Sequence, residues 1–295
     1  MQHYFAVIEA GGTNFNCAII DADRKILAET RIDTTTPEET LGLVINFFKT
    51  QKQDGYDFDV LGLACFGPID LRSTSTTYGF ITATPKPHWS NVAILPQLEK
   101  ALQCRVYFDT DVNAAALAEY CWGAAQNTEV SVYVTVGTGL GGGVIINGKP
   151  LHGLIHPEIG HILLSPPDGI EGVCPFHGNC AEGLASGKAM SQIWQQPAET
   201  LNDEHRAWDV EAQMLGLFCH SLLLSFSPQK IILGGGVMYK PGLIEKVIEC
   251  TKQSLGGYLT LPTDVTLGDI ICRPGLGQYS GLLGALALAI NGAKS

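Results

Sequence analysis

Two stretches of the chain share one pattern: an apolar run, a glycine-rich turn and a second apolar run. The first, from Tyr4 to Asp21, reads YFAVIEAGGTNFNCAIID, and the second, from Val130 to Gly148, reads VSVYVTVGTGLGGGVIING. Runs rich in Val and Ile between turn residues indicate β-strands. Stretches with helical spacing follow in both halves. The repetition predicts a duplicated α/β architecture in two lobes, each beginning with a strand–glycine turn–strand unit.

The length of the chain allows two such lobes. Its 295 residues suffice for two hydrophobic cores. We place residues 1–112 and 279–295 in a smaller lobe and residues 113–278 in a larger one. Because no Pro/Ser-rich linker separates the halves, we expect the lobes to share a hinge.

Charge and apolar patterning bear on the partners of the chain. The net charge is −11 and Lys and Arg do not cluster, which argues against nucleic acid and anionic membrane surfaces. No 18-residue apolar run suggests a membrane span, and MQHYFAVIEAGG lacks the basic start of a signal peptide. Seven of the nine cysteines stand singly in apolar contexts, as reduced core residues do. We therefore expect a cytoplasmic protein without disulfides.

Three glycine patches are candidates for binding phosphate: Gly11-Gly12-Thr13, Gly137 to Gly143, and Gly234 to Gly236. The second contains G-x-G-x-x-G, but VIIN follows it as a strand, whereas a dinucleotide site needs a helix there. Nor does the chain contain a P-loop, since Gly183 to Lys188 is one residue too short. A lone glycine hairpin is usually only a turn. Three patches, two with a threonine hydroxyl, favour a cradle of backbone amides around phosphate.

The stretch DTDVNAAALAE offers a carboxylate for acid–base chemistry. Asp109 and Asp111 stand where a short predicted strand meets a predicted helix, and strand ends in α/β folds line ligand crevices. Transfer of a phosphoryl group to a hydroxyl needs a base for its proton. An acidic residue here can equally be a helix N-cap. The spacing leaves base and cap evenly matched.

A metal site is predicted by CPFHGNC. Cys174, His177 and Cys180 offer three ligands within seven residues, a spacing that suits zinc better than a loop of unrelated thiols. Spacing alone leaves the fourth ligand open among His152, His156 and His161. With four protein ligands no position stays open for water, so the zinc would be structural. Glu158 and Glu182 flank these ligands, and glutamates in loops are usually just solvated.

An ordered set of motifs carries a family resemblance over nearly the whole chain. These motifs resemble those of the ROK sugar kinases (repressors, open reading frames, kinases), and in particular the fructokinase branch. They are IEAGGTNFNCA, ACFGPID, GFITATPKPHW, DTDVNAAALAE, VTVGTGLGGGVIINGKPLHG, HPEIGH, CPFHGNCAEGLASG and ILGGGVM. The resemblance implies the actin-like, ribonuclease H-like ATPase fold, with two lobes closing over ATP and a sugar. It also implies Mg²⁺ with ATP, and a homodimer is common in the family.

The resemblance further implies roles for individual residues. Asp111 matches the catalytic base, and Asn113 is expected to be its structural or positioning neighbour. His161 is selected as the fourth zinc ligand, with its other ring nitrogen free to face the sugar. Residues expected to bind ATP phosphates are Gly11, Gly12, Thr13, Gly137, Thr138 and Gly139, and those expected beside the adenosine are Gly235 and Gly236. Residues expected around the sugar are Thr110, Asp111, Glu158, His161 and Glu182.

Departures from the family pattern refine the expected activity. Thr110 replaces the Asn with which many members contact the sugar, which weakens a glucokinase assignment. Glu9 stands where many members have Asp, and the fructokinase branch resembles this sequence in having Glu there. Asn14 replaces a common Lys, and His88 replaces a common Gly. We expect a fructose 6-kinase; mannose, glucose or an N-acetylhexosamine are alternatives. A DNA-binding repressor is disfavoured because the first core strand begins at Tyr4, and an actin-like assembly protein is disfavoured by Asp111 and the sugar-contact set.

Overall fold

The computed structural model describes residues 3–293. Clustering of contacts separates two compact units. The first runs to Cys121 and also takes in His152–His156 and the chain from Tyr279, while the second consists of Trp122–Leu151 and Pro157–Gln278. The first unit therefore holds residues 113–121 and the His152–His156 segment, which the sequence assigned to the larger lobe.

Each unit contains one five-stranded mixed sheet. The first has the order β3-β2-β1-β4-β5, in which β1, β4 and β5 are parallel and β2 and β3 are antiparallel to their neighbours. Its strands are β1 (Tyr4–Ala10), β2 (Asn14–Asp21), β3 (Ile26–Asp33), β4 (Val60–Cys65) and β5 (Arg105–Thr110). The second has the order β10-β9-β6-β7-β8. Its strands are β6 (Val130–Val136), β7 (Leu140–Ile146), β8 (Lys149–Pro150), β9 (Lys230–Gly234) and β10 (Ile271–Cys272). Both predicted strand–glycine turn–strand units are present, as β1–β2 and β6–β7.

The α-helices of the described chain cover the sheets or cap their ends. They are α1 (Pro37–Gln53), α2 (Ile94–Leu102), α3 (Asp111–Trp122), α4 (Ala181–Ala185), α5 (Gly187–Trp194), α6 (Ala207–Phe226), α7 (Leu243–Leu255), α8 (Leu267–Ile270) and α9 (Ser280–Ala293). The sequence patterns do not predict α4 and α5. None of the helices in residues 3–293 combines the length and apolar character that crossing a bilayer requires.

Local sequence explains how the first unit is built. The Thr36 hydroxyl accepts a hydrogen bond from the Glu39 amide, Pro37 follows in the first turn, and α1 then buries Leu41 and Phe48. Helix α9 lies directly on the sheet because Gly62 of β4 has no side chain. A Cβ there would stand 1.7 Å from a backbone oxygen of α9. Close packing of this helix fixes β1, β4 and β5, and Asp111 follows directly on the end of β5.

The second unit has its own hydrophobic core. Helix α6 buries most of its length, with Met214, Leu215 and Phe218 fully inside. These side chains pack with the apolar residues of β6 and β9, including Val134 and Leu233. All nine cysteines of the chain are free thiols in the structure.

Candidate functional site

Asp111 is the first residue of α3 and follows directly on the end of β5. Its side chain is partly exposed, and Oδ1 accepts the Val112 amide at 2.9 Å. The positive end of the helix dipole favours the ionised carboxylate at this position. An accessible carboxylate at a strand end is placed to accept a proton.

Asp109 differs from Asp111 although it lies only two residues away. It is 3% exposed, and Oδ1 accepts from the Thr110 amide at 2.7 Å and from Asn113 Nδ2 at 2.8 Å. Oδ2 lies 2.9 Å from His152 Nε2. Its acceptors are thus occupied by the protein.

Thr110 is also 3% exposed. Its Oγ1 accepts the Asn113 amide at 3.1 Å, which is the bond of a helix N-cap. Thr110 therefore caps the helix, and the role of Asp111 as a base stays a prediction. The predicted contact of Thr110 with the sugar is restricted because its side chain is buried and its hydroxyl is engaged in this cap.

The first glycine patch forms the tight turn between β1 and β2. The Gly11 amide donates to the Asn14 carbonyl at 2.9 Å, and Thr34 Oγ1 donates to the Gly11 carbonyl at 2.8 Å. Gly12 and Thr13 are exposed at the tip, with no atom within 4 Å of where a Gly12 Cβ would be. An anion can approach this backbone closely.

The second glycine patch borders a cavity of about 760 Å³ in the second unit. Gly137 and Thr138 line it together with Gly236. Gly235 supports this wall: its φ is +91°, and a Cβ would stand 2.4 Å from the Val136 carbonyl oxygen. Only glycine fits there without strain. The predicted phosphate and adenosine residues of this unit thus border one cavity, directly or through their neighbours.

Other residues of this cavity escape the sequence analysis. Lys188, Trp208 and Lys240 line it, and Lys240 Nζ lies 4.8 Å from the centre of the Trp208 ring. The Gly187 amide at the start of α5 donates to the Gly137 carbonyl at 2.7 Å, which brings Lys188 beside Thr138. A sequence signal for Lys188 is the start of α5 at Ser186-Gly187-Lys188, where Ser186 is the N-cap. A comparison of this stretch with a P-loop alone does not reveal the helix start.

The four predicted metal ligands come together in the second unit. One ligand atom from each of His161, Cys174, His177 and Cys180 lies within 4.8 Å of all the others. Cys174 Sγ is 3.6 Å from His177 Nδ1, and Cys180 Sγ is 3.5 Å from His161 Nδ1. Tetrahedral zinc with bonds of about 2.1 Å to nitrogen and 2.3 Å to sulfur separates such atoms by about 3.6 Å. The donor set and its spacing therefore fit zinc.

The other two histidines that spacing allowed as ligands lie in the first unit. His152 contacts Asp109, and His156 Nε2 accepts the Ile69 amide at 3.3 Å. The Cys180 thiol accepts a hydrogen bond from the Gly183 amide at the start of α4. Burial raises the pKa of this thiol to about 11. A bound cation would hold this thiol as thiolate near neutral pH.

The two predicted sugar-binding glutamates lie near each other in the second unit. Partial desolvation, and then the negative charge of Glu182, raise the pKa of Glu158. Glu182 Oε2 accepts the Leu140 amide at 3.2 Å and touches Gly139, where a Cβ would stand 2.8 Å from it. Glu182 thus links the second glycine patch to α4, two residues after the predicted metal ligand Cys180.

Comparison with known proteins identifies the family of the chain. The family model described as "ROK family" matches residues 5–291. The chain belongs to the ROK family.

Two curated relatives and one solved structure illustrate the ROK similarity. The chain is 46% identical to a fructokinase of Zymomonas mobilis over 97% of this chain and 96% of the relative. It is 38% identical to a fructokinase of Streptococcus mutans over 98% of both. A crystal structure of a ROK hexokinase from Thermus thermophilus superposes with a TM-score of 0.78 at 29% identity, covering 100% and 99% of the two chains. The predicted ROK family and the two-lobed, actin-like α/β fold are confirmed.

Proposed function

We propose that this ROK protein is an ATP-dependent fructokinase that phosphorylates the 6-hydroxyl of D-fructose. The observation that carries the proposal is the near full-length similarity to fructokinases, at 46% and 38% identity. The accessible Asp111 at the end of β5 supports it from the chemistry, since a hexose kinase needs a base at this step.

Asp111 acts as the general base in the proposed reaction. Its carboxylate takes the proton of the sugar O6–H as O6 attacks the γ-phosphorus. The bond from the γ-phosphorus to the bridging oxygen breaks, and ADP leaves with the electron pair. Mg²⁺ bound with ATP supplies charge neutralisation on the phosphate oxygens.

We assign the phosphate contacts to the two exposed glycine turns. Gly11, Gly12 and Thr13 offer one approach for phosphate, and Gly137, Thr138 and Gly139 offer the other. Gly235 and Gly236 support the adenosine. The cavity lined by Thr138 and Gly236 is large enough for a nucleotide, at about 760 Å³.

The sugar is assigned to Asp111, Glu158, His161 and Glu182, with Thr110 closing the end of β5. Glutamate oxygens accept hydrogen bonds from sugar hydroxyls. His161 directs Nδ1 toward the two thiols, since Cys180 Sγ and Cys174 Sγ lie 3.5 and 4.0 Å from it. Its Nε2 is then the nitrogen that can donate to the sugar.

We further propose that zinc at His161, Cys174, His177 and Cys180 has a structural role. Four protein ligands fill a tetrahedral shell and leave no position for a reacting water. The zinc therefore holds the loop that presents Glu158 and Glu182. We also propose that the protein acts in the cytoplasm, where its substrate ATP is available, and that it forms a homodimer, as is common in the family.

A coupled assay that measures ADP formation tests the proposal. Fructose, mannose, glucose and N-acetylhexosamines are compared with Mg²⁺-ATP, and zinc is counted on the same sample. We expect the highest kcat/KM with fructose and zinc bound in a fixed proportion to chain. A higher kcat/KM for another hexose would reassign the substrate, and a panel without turnover would overturn the kinase assignment.

A further inference from the structure

The Asp109 carboxylate organises the turn that carries Asp111. It is buried, and its two oxygens receive hydrogen bonds from the Thr110 amide, Asn113 Nδ2 and His152 Nε2. The first two donors belong to the strand–helix turn itself. A buried carboxylate that accepts several hydrogen bonds holds the donors in place.

His152 is the donor that comes from a distant part of the chain. An ionised carboxylate only accepts, so His152 Nε2 must carry the hydrogen of the 2.9 Å contact. The hydrogen bond that His152 donates to Asp109 raises the pKa of His152, against a smaller effect of partial burial. The other edge of the ring is open, since the side chain is 43% exposed.

The segment His152–His156 belongs to the first unit although the chain on both sides of it belongs to the second. A histidine at each end binds the segment to the first unit. His152 contacts the end of β5, and His156 accepts the Ile69 amide, four residues beyond the end of β4. Asp109 is the penultimate residue of β5 and Ile69 follows β4, so both contacts lie toward the carboxyl ends of parallel strands, where α/β proteins bind ligands. This location favours a role at the active site over a purely structural one.

We propose that His152 is a positioning residue for phosphoryl transfer: its Nε2–H holds Asp109, which holds Asn113 and the first turn of α3, where Asp111 stands. The inference rests on the proposed function, because it takes Asp111 as the base. Asn113 is 1% exposed and is bonded both through its side chain to Asp109 and through its amide to Thr110. Loss of the His152 donor leaves a buried acceptor unmatched and frees the turn to shift. Small displacements of a catalytic group are costly in rate.

Three substitutions of His152 separate the effect of its hydrogen-bond donor from the effect of its ring. His152→Phe keeps a ring but removes the donor, and we expect kcat to fall about tenfold to hundredfold. KM for ATP should stay unchanged, because the contacts of His152 Nε2 with Asp109 and Asn113 involve no residue assigned to ATP. His152→Gln places an amide donor near the position of Nε2 and should recover most of kcat. His152→Asn is shorter, reaches only the position of Nδ1, and should not recover it.

Two controls isolate the path through Asp109. In an Asp109→Asn background, His152→Phe should have little further effect on kcat, since the two residues act on one turn. His220→Phe removes a comparable hydrogen bond, between His220 Nδ1 and Ser254 Oγ at 2.8 Å in the second unit, and should leave kcat at the wild-type value. Melting temperatures of all variants show whether a loss of rate reflects a loss of fold.

The outcomes separate this inference from the function on which it rests. Loss of kcat in His152→Phe with recovery in His152→Gln supports the inference. An unchanged kcat in His152→Phe, or equal losses in the Gln, Asn and Phe variants, overturns it. If the wild-type chain phosphorylates no sugar, the proposed function fails, and that result is read from the wild-type protein alone.

Discussion

Asp109 and Asp111 are two residues apart, yet their surroundings give them different chemistry. Asp109 is buried and bonded on both oxygens, while Asp111 is partly exposed at the start of α3. We expect Asp111→Asn to lower kcat by about 10²–10⁴-fold, the usual contribution of a general base. Steady-state kinetics with fructose measures the effect, and circular dichroism checks the fold.

A matched control for this substitution exists in the second unit. Asp209 also lies in the first turn of a helix, α6, and pairs with Lys246 at 2.6 Å on the surface. Asp209→Asn loses the same charge near a helix dipole, at a residue that is assigned to neither ATP nor the sugar. Turnover of Asp111→Asn equal to that of Asp209→Asn would remove Asp111 as the base.

Glu211 is a buried acid in the hydrophobic core of the second unit. It is 1% exposed, Oε1 has no hydrogen-bond partner among the described residues, and burial raises its pKa well above the ordinary 4.5. The folded protein therefore keeps this proton at a pH where the unfolded chain has lost it. The contribution of Glu211 to the free energy of unfolding therefore falls as pH rises above about 4.5, and it stops falling once pH exceeds the raised pKa of the folded state.

Glu211→Met should therefore stabilise the protein. We expect a gain of about 1–3 kcal/mol in the free energy of unfolding, from removal of an unmatched buried acceptor. The gain should be larger at pH 8 than at pH 5, because only the wild-type residue carries the proton linkage. Urea denaturation at both values measures it, and a gain that does not depend on pH would contradict the assignment of the proton.

Sequence reasoning reached some of these residues and missed others for physical reasons. Cys174, His177 and Cys180 follow one another within seven residues, so spacing alone brought them together. The contact between His152 and Asp109 joins residues 43 positions apart and runs through tertiary structure that no local pattern encodes. The burial of Thr110 is likewise set by the packing around β5.

The start of α5 shows how one element shapes the nucleotide site. The Gly187 amide donates to the Gly137 carbonyl at 2.7 Å, and a Cβ on Gly187 would stand 2.9 Å from that oxygen. A side chain there must push α5 away from the second glycine patch. We expect Gly187→Ala to raise KM for ATP severalfold with little change in KM for fructose, as the cavity wall formed by Lys188 shifts.

Gly42→Ala is the control for the alanine itself. Gly42 lies inside α1 with no atom within 4 Å of where a Cβ would be, so alanine should be neutral or stabilising by up to about 1 kcal/mol. Equal KM values for ATP in Gly187→Ala and wild type would show that the contact between α5 and the glycine patch does not shape the site. Direct calorimetric binding of an ATP analogue supplies an independent measurement.

Elements with strong periodicity were predictable, and short ones were not. Helix α1 has Pro37 in its first turn and a periodic apolar face, and both strand–glycine turn–strand units have runs rich in Val and Ile. Helices α4 and α5 have five and eight residues, too few for a helical period to emerge. They are fixed instead by tertiary contacts, through Cys180 and through Gly187.

At the scale of the whole molecule, the duplication could be predicted from the sequence because glycine turns and apolar strands are local patterns. The limits of the two units are a matter of contacts, and for this reason α3 and the His152–His156 segment fall in the first unit. A chain that leaves one unit for five residues and returns gives no compositional sign of doing so.

The proposed zinc connects the sugar loop to the core of the second unit. Cys180 caps α4, and the helix then buries Ala181 and Leu184 in the same hydrophobic cluster as Ile159 of the loop. We expect Cys180→Ser to lose zinc, to lower the melting temperature and to raise KM for fructose, with a smaller change in kcat. Metal analysis, calorimetry and kinetics on one preparation measure the three effects.

Cys219→Ser is the matched control, because Cys219 is equally buried in the second unit but lies outside the ligand set. It makes the same change of atom and should leave the zinc content and KM for fructose unchanged. Hydrogen exchange should then show lost protection around Ile159 and α4 in Cys180→Ser alone, since zinc acts on fructose binding through that loop. A zinc-free protein that keeps its fold and its KM for fructose but loses kcat would place the metal in the phosphoryl-transfer step instead.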